Sequence, residues 1–157
     1  MDRATRNIWL THAYLIPDDD MQKVLRDAVD RGVDVRIIVP AESNHIEADW
    51  VSRSYYRALL ESGVRLFLYQ NAMVHSKTAT IDGQWSTIGT ANIDSLSLLV
   101  NYEINVDITS VEVADKLEEI YRVDLGNCRE LSLEEWNRRH PWMKVSEAIL
   151  RPLRHFL

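Results

Sequence analysis

At 157 residues the chain is long enough for one domain with a hydrophobic core and too short for two domains of ordinary size. Its 46% hydrophobic and 27% charged residues are typical of a globular protein, and the formal net charge of −6 argues against a general nucleic-acid-binding surface. The single cysteine, Cys128, excludes an intramolecular disulfide framework and is compatible with a reducing compartment.

The first part of the chain alternates predicted strands and helices. Residues 7–11 predict a strand almost at once, so we expect a chain that starts late or within a longer protein. A helix follows Asp18 and ends at Gly32, and residues 33–39 predict a second strand. Strand, helix and strand at this spacing indicate a βαβ unit with a parallel strand pair.

A second helix and a third strand continue this pattern at residues 48–61 and 64–69. Loops leave the carboxyl ends of the first two strands, which is the edge where open α/β sheets often bind ligands. Tyr14 and His45 lie on these loops and are pocket candidates, although a lone loop histidine is more often simply solvated.

The next stretch predicts a β-hairpin. Residues 74–81 are mostly β-branched or small, Asp82-Gly83 is a strong two-residue turn signal, and residues 85–89 form the returning strand. Because side chains alternate along a strand, His75 and Lys77 should point to the same side, about 7 Å apart.

This pair suits phosphoryl chemistry. A neutral imidazole can attack phosphorus or transfer a proton near neutral pH. The ammonium group of Lys77 and the amide of Asn92, in a turn after the second strand, can hold the non-bridging oxygens of a phosphate. A lone His-x-Lys pair is more often two exposed strand residues, but further polar and glycine residues at fixed spacings favour a site here.

The pattern resembles the HKD motif of the phospholipase D superfamily, H-x-K-x4-D-x6-G-x2-N. Every fixed position is filled, by His75, Lys77, Asp82, Gly89 and Asn92. The resemblance implies that the histidine and lysine contact the phosphate, whereas Asp82 is a structural residue near the turn. It implies no metal or cofactor, because two lysines supply the positive charge of the full site.

Residues 99–108 alternate in polarity and predict a further strand, followed by a helix that Ser110 caps. A glutamate of the family occupies a similar strand position and hydrogen-bonds catalytic-site groups, so the resemblance assigns that role to Glu103. The predicted fold is α/β: a phospholipase D-like half whose mixed, mostly parallel sheet is flanked by helices on both faces.

The end of the chain is basic, although the chain as a whole is acidic. Residues 138–157 include five basic residues and one acidic residue, and the apolar residues from 145 onward fall on one helical stripe. We therefore divide the chain into a phospholipase D-like domain (1–128) and a basic amphipathic tail (129–157). The tail is a helix packed on the domain, an interfacial helix on anionic lipid, or both.

A sharper resemblance, over nearly the whole chain, is to the C-terminal half of bacterial cardiolipin synthases. It rests on residues 13–18, 31–40, 74–78, 101–103 and the ending around Trp136, Arg139, Pro141 and Trp142. These enzymes join two phosphatidylglycerols, or one with another phospholipid, through a phosphatidyl-histidine intermediate. They carry two HKD motifs after N-terminal membrane helices, whereas this chain has one motif and no such helices.

The resemblance therefore implies half of an active site, in which His75 is the general acid and base. Three functions remain open: the C-terminal half of a phosphatidyltransferase, a homodimeric single-motif nuclease or phosphodiesterase, and a non-catalytic lipid-binding module. The first implies a phospholipid substrate, a second HKD half from the same protein or a homodimer, and no nucleic acid. It also implies a peripheral location on the cytoplasmic face of the bacterial cell membrane.

Overall fold

Three parallel strands form the centre of the sheet. The computed structural model describes residues 1–44, 46–94, 97 and 100–139, without the side chains of residues 46 and 47. The parallel strands are β1 (Asn7–Thr11), β2 (Asp34–Pro40) and β3 (Arg65–Tyr69), and the helices that connect them are α1 (Asp19–Asp30) and α2 (Ile46–Glu61). This is the repeated βαβ arrangement that the sequence predicts.

Four antiparallel strands extend the sheet to both sides. They are β4 (Thr78–Ile81), β5 (Trp85–Gly89), β6 (Asn105–Thr109) and β7 (Cys128–Leu131), and the sheet order is β6-β5-β4-β1-β2-β3-β7. Helix α3 (Val111–Leu125) follows β6, and α4 (Leu133–Asn137) follows β7.

The predicted α/β fold with a mixed sheet is confirmed, but parallel pairs are in the minority. Two neighbouring pairs are parallel and four are antiparallel among the described strands. Helical crossovers produce the parallel pairs, whereas the hairpin at Asp82-Gly83 and the later strands return against their neighbours.

Helices cover both faces of the sheet, as predicted. On one face Leu10 of β1 packs with Leu25 of α1 and Leu59 of α2. On the other face Trp9 stacks on Tyr121 of α3, with ring centroids 5.1 Å apart. Strand alternation therefore divides the core into two layers.

The β4–β5 hairpin turns at the predicted place. Asp82 and Gly83 both have positive φ, 57° and 63°, a conformation that glycine, and less often aspartate, adopts readily. The paired residues Ile81 and Trp85 enclose three residues, one more than the two-residue turn predicted from the sequence.

Two predicted strands are shorter in the structure, and β7 is absent from the sequence prediction. β4 begins at Thr78 rather than at residue 74, and β6 begins at Asn105 rather than at residue 99. The alternation before β6 is misleading because its apolar members, Tyr102 and Ile104, are exposed rather than packed. β7 reads Cys-Arg-Glu-Leu, without β-branched or aromatic residues to indicate a strand.

The domain boundary placed after residue 128 falls inside β7, which pairs with β3. Further on, the buried Trp136 ring of α4 lies 5.3 Å from the Tyr56 ring of α2. Residues 129–139 are therefore part of the folded domain. The rest of the tail, 140–157, lies outside the described residues, so its helix and lipid contact stay predictions. Within the described part, no helix has the length and apolarity that a membrane crossing needs.

Candidate active site

His75 and Lys77 meet at the sheet edge where β4 begins. Lys77 extends the β4–β5 ladder by one residue, because its carbonyl accepts a 3.0 Å hydrogen bond from the Gly89 backbone NH. Its Nζ lies 3.1 Å from Nδ1 of His75 and donates to the His75 carbonyl oxygen at 2.9 Å. The two side chains thus lie on the same side, as the alternation predicts, and they touch.

This contact determines the tautomer of His75. An ammonium group can only donate, so Nδ1 accepts and the neutral ring carries its proton on Nε2. Burial, and secondly the positive charge of Lys77, hold the pKa of His75 below its ordinary value. The ring is therefore neutral at pH 7.

Lys77 is a cation largely removed from water, with 7% of its surface exposed. Burial lowers the pKa of Lys77, whereas the negative charges of Glu103 and Asp94 act in the opposite direction. Asp94 is also buried, and its Oδ1 accepts a 2.6 Å hydrogen bond from the Ser97 backbone NH. Burial raises the pKa of Asp94 against the effect of that hydrogen bond.

Glu103 reaches this neighbourhood from the segment before β6 rather than from within a strand. It is half-buried, and its charge acts on both Lys77 and Asp94. The structure therefore brings Glu103 into electrostatic contact with the lysine of the site. Its role in hydrogen-bonding catalytic groups stays a prediction.

Along the chain, Asn92 lies between Gly89 and Asp94, which both interact with Lys77. Gly89, three residues earlier, donates to the Lys77 carbonyl, and Asp94, two residues later, acts on its ammonium group. The amide oxygen of Asn92 is buried and has no hydrogen-bond partner in the described part of the chain. This oxygen thus has unused acceptor capacity, and the NH₂ of the same amide is the group that could donate to a phosphate oxygen.

Gly89 is required by the close approach of β5 to the chain entering β6. A Cβ atom at this position would collide with the side chain of Asn105 and lie 2.5 Å from the Ile104 carbonyl oxygen. The glycine therefore keeps β5 and β6 paired next to Lys77.

Asp82 lies at the opposite end of β4 and binds the N-terminal segment. Its carboxylate accepts hydrogen bonds from the backbone NH groups of Thr5, Arg6 and Asn7 and from the Thr5 hydroxyl, at 2.7–3.1 Å. Burial acts to raise the pKa of Asp82, but these hydrogen bonds outweigh it and hold the pKa below its ordinary value. Asp82 therefore ties the hairpin turn to the start of β1.

Of the two pocket candidates on loops, the structure describes Tyr14 but not His45. Tyr14 donates from its hydroxyl to Asn44 Oδ1 at 2.8 Å, and burial, Asp49 and Asp94 raise its pKa. It thus links the loop after β2 to Asp94. Its partner Asn44 helps to line a cleft of about 520 Å³, which is formed by residues 41–44 and 69–73. His45 lies outside the described residues.

Two neighbours of Lys77 are absent from the sequence prediction. Asp94 has a local signal, because it lies two residues after Asn92 in the same turn. His12 follows β1 and is 8% exposed, and burial, then Lys77, lowers its pKa to about 3. No local signal marks His12, since its proximity to Lys77 depends on the pairing of β1 with β4.

Comparison with known proteins identifies the family. The family model described as "Cardiolipin synthase, PLD-like domain" matches residues 1–125. The chain belongs to this family. The residues matched include strands β1 to β6 and all of α3, so the PLD-like domain contains the site described above.

Two relatives show how much of a longer protein this chain corresponds to. It is 33% identical over 151 residues to a cardiolipin synthase of Clostridium perfringens (strain SM101), which is 96% of this chain and 32% of the relative. It is 34% identical over 153 residues to the major cardiolipin synthase ClsA of Bacillus subtilis, 98% of this chain and 32% of the relative. The chain spans about a third of the length of these relatives.

A solved structure has the same fold. The PLD-like domain superposes on Nuc from Salmonella typhimurium, a phospholipase D family member, with a TM-score of 0.71. The two are 23% identical, and the match covers 83% of this chain and 85% of Nuc. This similarity confirms the predicted phospholipase D-like fold.

Proposed function

We propose that this PLD-like domain is the C-terminal catalytic half of a cardiolipin synthase-like phosphatidyltransferase acting on phosphatidylglycerol. The observation that carries the proposal is the contact between Lys77 Nζ and His75 Nδ1, 3.1 Å apart. Phosphoryl transfer needs a group that moves protons and a cation that binds the phosphate, and this pair supplies both. The similarity to cardiolipin synthases supports a phospholipid as the substrate.

His75 acts as general acid and then as general base. Burial, and secondly the positive charge of Lys77, lower the pKa of His75, and the negative charge of a phosphate oxygen bound to Lys77 offsets the second effect. The ring then takes up a proton more readily, and the imidazolium protonates the departing alcohol oxygen. In the second step Nε2, which gave its proton to the departing alcohol, removes the proton of the incoming alcohol, while Lys77 stays on the phosphate and no longer donates to Nδ1.

A second histidine attacks phosphorus from the opposite side, because one imidazole cannot attack and protonate the leaving group at once. That histidine belongs to a second HKD half, from the same protein or from a partner chain, and carries the phosphatidyl group between the two steps. The relatives, about three times as long as the match, have room for such a half.

The remaining polar groups of the site bind substrate and balance charge. The Asn92 amide donates to a second phosphate oxygen. Glu103 and Asp94 keep Lys77 protonated in spite of its burial. Asp82 and Gly89 act on the hairpin that presents the pair, and not on the substrate.

The substrate reaches this site from a membrane surface. The tail beyond residue 139 is basic with an apolar stripe, a composition that attracts anionic lipid. It holds the protein peripherally on the cytoplasmic face of the bacterial cell membrane.

A homodimeric phosphodiesterase is the second candidate. It is favoured by the similarity to Nuc, because the match covers 83% of this chain and 85% of Nuc. In such a dimer the His75 residues of two copies would be the attacking and the protonating group. A non-catalytic lipid-binding module is disfavoured, since lipid binding alone does not require the His75–Lys77 contact.

Reconstitution of the two halves tests the proposal. The monomeric chain alone should show no phosphatidyl transfer from phosphatidylglycerol, and addition of a cardiolipin synthase N-terminal half with the other motif should restore it. His75→Ala should then lower the rate by about 10²–10⁴-fold, the usual contribution of a general acid–base. Lys77→Met should also lower it, whereas Lys23→Met, which removes an exposed lysine paired with Asp27, should not.

Molecular mass in solution separates the alternatives. Robust transfer by a strict monomer would contradict the two-histidine mechanism. A stable dimer that hydrolyses phosphodiesters without the second half would support the homodimeric phosphodiesterase instead.

A further inference from the structure

His12 and Lys77 face each other across two neighbouring strands. β1 and β4 are antiparallel, and their last pair at this edge is Thr11 with Thr78. Each strand continues one residue further: the His12 NH bonds to a β2 carbonyl at 3.1 Å, and the Lys77 carbonyl accepts from Gly89. Directly opposite residues of an antiparallel pair have side chains on the same face, with Cβ atoms about 4.5–5.5 Å apart.

His12 is the lateral neighbour of the Lys77 side chain. On the β5 side, the continued register places Gly89 opposite Lys77, and glycine offers no side chain to pack against. On the β1 side it places an imidazole. Of the two residues beside Lys77 in the neighbouring strands, only His12 therefore has a side chain that can lie against the Lys77 side chain.

The His12 ring is a polar group at a buried position that an apolar side chain of similar volume could fill. It is 8% exposed, and its Nδ1 is buried without a hydrogen-bond partner among the described residues. A buried polar atom without a partner is costly, which argues that the ring does more than fill volume. Lys77 is the charged group that acts on it.

We propose that His12 is a positioning residue for Lys77: its neutral ring lies beside the ammonium group and directs it toward His75. A carboxylate in this place would pair with Lys77 and draw it away, and a second cation would repel it. A leucine would match the volume but would leave no polar group beside the ammonium. The consequence for catalysis rests on the proposed function, whereas the Lys77–His75 contact can be measured without turnover.

Titration of the His75 ring by NMR in the full chain tests this inference. Burial, and secondly the Lys77 charge beside Nδ1, keep the pKa of His75 below its ordinary value. Lys77→Met removes the second contribution and sets the upper limit of the rise. We expect His12→Leu and His12→Met to raise the pKa of His75 toward this limit. His12→Gln keeps a neutral polar group and should titrate like the wild type. Two apolar variants are used so that one remains if the other fails to fold.

An unchanged His75 titration in the folded apolar variants would overturn the proposal. A shift in His12→Gln as large as in His12→Leu would overturn it as well, because His12 would then be a packing residue only. Absence of phosphatidyl transfer by the reconstituted wild-type protein would contradict the proposed function and would leave this titration result intact.

Discussion

At the scale of single residues, the site is arranged around one buried charge. Removing an ammonium group from water is costly unless it is hydrogen-bonded and its charge is offset. His75 accepts from Lys77 through both its ring and its carbonyl oxygen, and Glu103 and Asp94 supply the opposite charge. The Lys77 ammonium group has three N–H groups, and the two hydrogen bonds to His75 use two of them. A phosphate oxygen that accepts from the third would replace a water molecule that Lys77 loses when the chain folds.

Asp82 gives a prediction about stability rather than chemistry. Asp82→Asn keeps the shape and tolerates the positive φ, but it replaces one acceptor oxygen by an NH₂ that faces the NH groups of Thr5, Arg6 and Asn7. We expect the free energy of unfolding, measured with denaturant, to fall by about 1–3 kcal/mol. Asp115→Asn, on the exposed face of α3, is the matched control and should change it by less than about 0.5 kcal/mol. Equal losses of stability in the two variants would contradict the conclusion that Asp82 holds the hairpin turn to the N-terminal segment.

His12 makes folding sensitive to acid. The pKa of His12 is about 3 in the folded protein and about 6.5 in the unfolded chain, so between these values only the unfolded chain binds the proton. The contribution of His12 to stability is complete above pH ~6.5 and is lost as the pH falls toward 3, with a slope approaching about 1.4 kcal/mol per pH unit. Denaturation curves at about pH 7 and about pH 4.5 should show this loss, and His12→Gln should reduce it. An identical pH dependence in His12→Gln would count against a buried neutral ring.

At the scale of elements, the pairing of β5 with β6 depends on the absence of a side chain at Gly89. Gly89→Ala places a Cβ against the Asn105 side chain and 2.5 Å from the Ile104 carbonyl oxygen. The strands must separate, and Lys77 loses its backbone partner. We expect a loss of about 1–3 kcal/mol in the free energy of unfolding and faster amide hydrogen exchange at residue 89.

The neighbour of Gly89 provides the control for this prediction. Asn105→Ala removes one of the two colliding groups and leaves the Ile104 carbonyl oxygen in place. The double variant should therefore recover part of the stability lost in Gly89→Ala, with a coupling of about 0.5–3 kcal/mol. Strictly additive effects would show that the collision does not cause the loss.

The helices and strands were predicted correctly where the sequence signal is local, and incorrectly where it depends on distant parts of the chain. Asp82-Gly83 encodes its turn in two residues, and the stripe of α1 follows a single helical period. β6 was predicted too long because alternation alone cannot distinguish packed residues from exposed ones such as Tyr102. β7 forms because β3 offers a free edge, which its own residues do not indicate.

The candidate site divides in the same way. His75 and Lys77 lie just before one hairpin and Asn92 lies just after it, so their spacing is readable along the chain. The proximity of His12 to Lys77 depends on strands separated by more than sixty residues. That register is set by the packing of the whole sheet and has no sequence signature of its own.

At the scale of the whole molecule, the site lies where the parallel and antiparallel parts of the sheet meet. The carboxyl ends of β1, β2 and β3 share an edge with the start of β4, because β4 runs antiparallel to β1. Loops that leave the parallel strands thus lie at the same edge as the His75–Lys77 pair, and Tyr14 and Asn44 join two of these loops. This edge is also where open α/β sheets commonly bind ligands.

The charge distribution along the chain predicts which part of it binds an anionic membrane. Residues 140–157, the part of the tail beyond the folded domain, carry a formal charge of +2 in a chain whose total is −6, which leaves −8 for the domain. An anionic bilayer therefore attracts the tail and repels the domain. We expect residues 143–157 to bind vesicles of anionic lipid in a flotation assay, and recovery to fall as salt rises, because the Debye length shortens from about 10 Å at 0.1 M to about 3 Å at 1 M.

Substitution of the basic residues decides whether charge drives this binding. Each lysine or arginine near an anionic surface contributes about 1 kcal/mol, so replacing Lys144, Arg151 and Arg154 by glutamine should weaken binding roughly 100-fold. The matched control replaces three exposed basic residues of the domain: Lys23, Arg57 and Lys116. Because it makes the domain more negative without changing the tail, it should weaken binding far less than the tail variant does. Equal recovery on anionic and neutral vesicles, or no recovery on either, would contradict electrostatic binding by the tail.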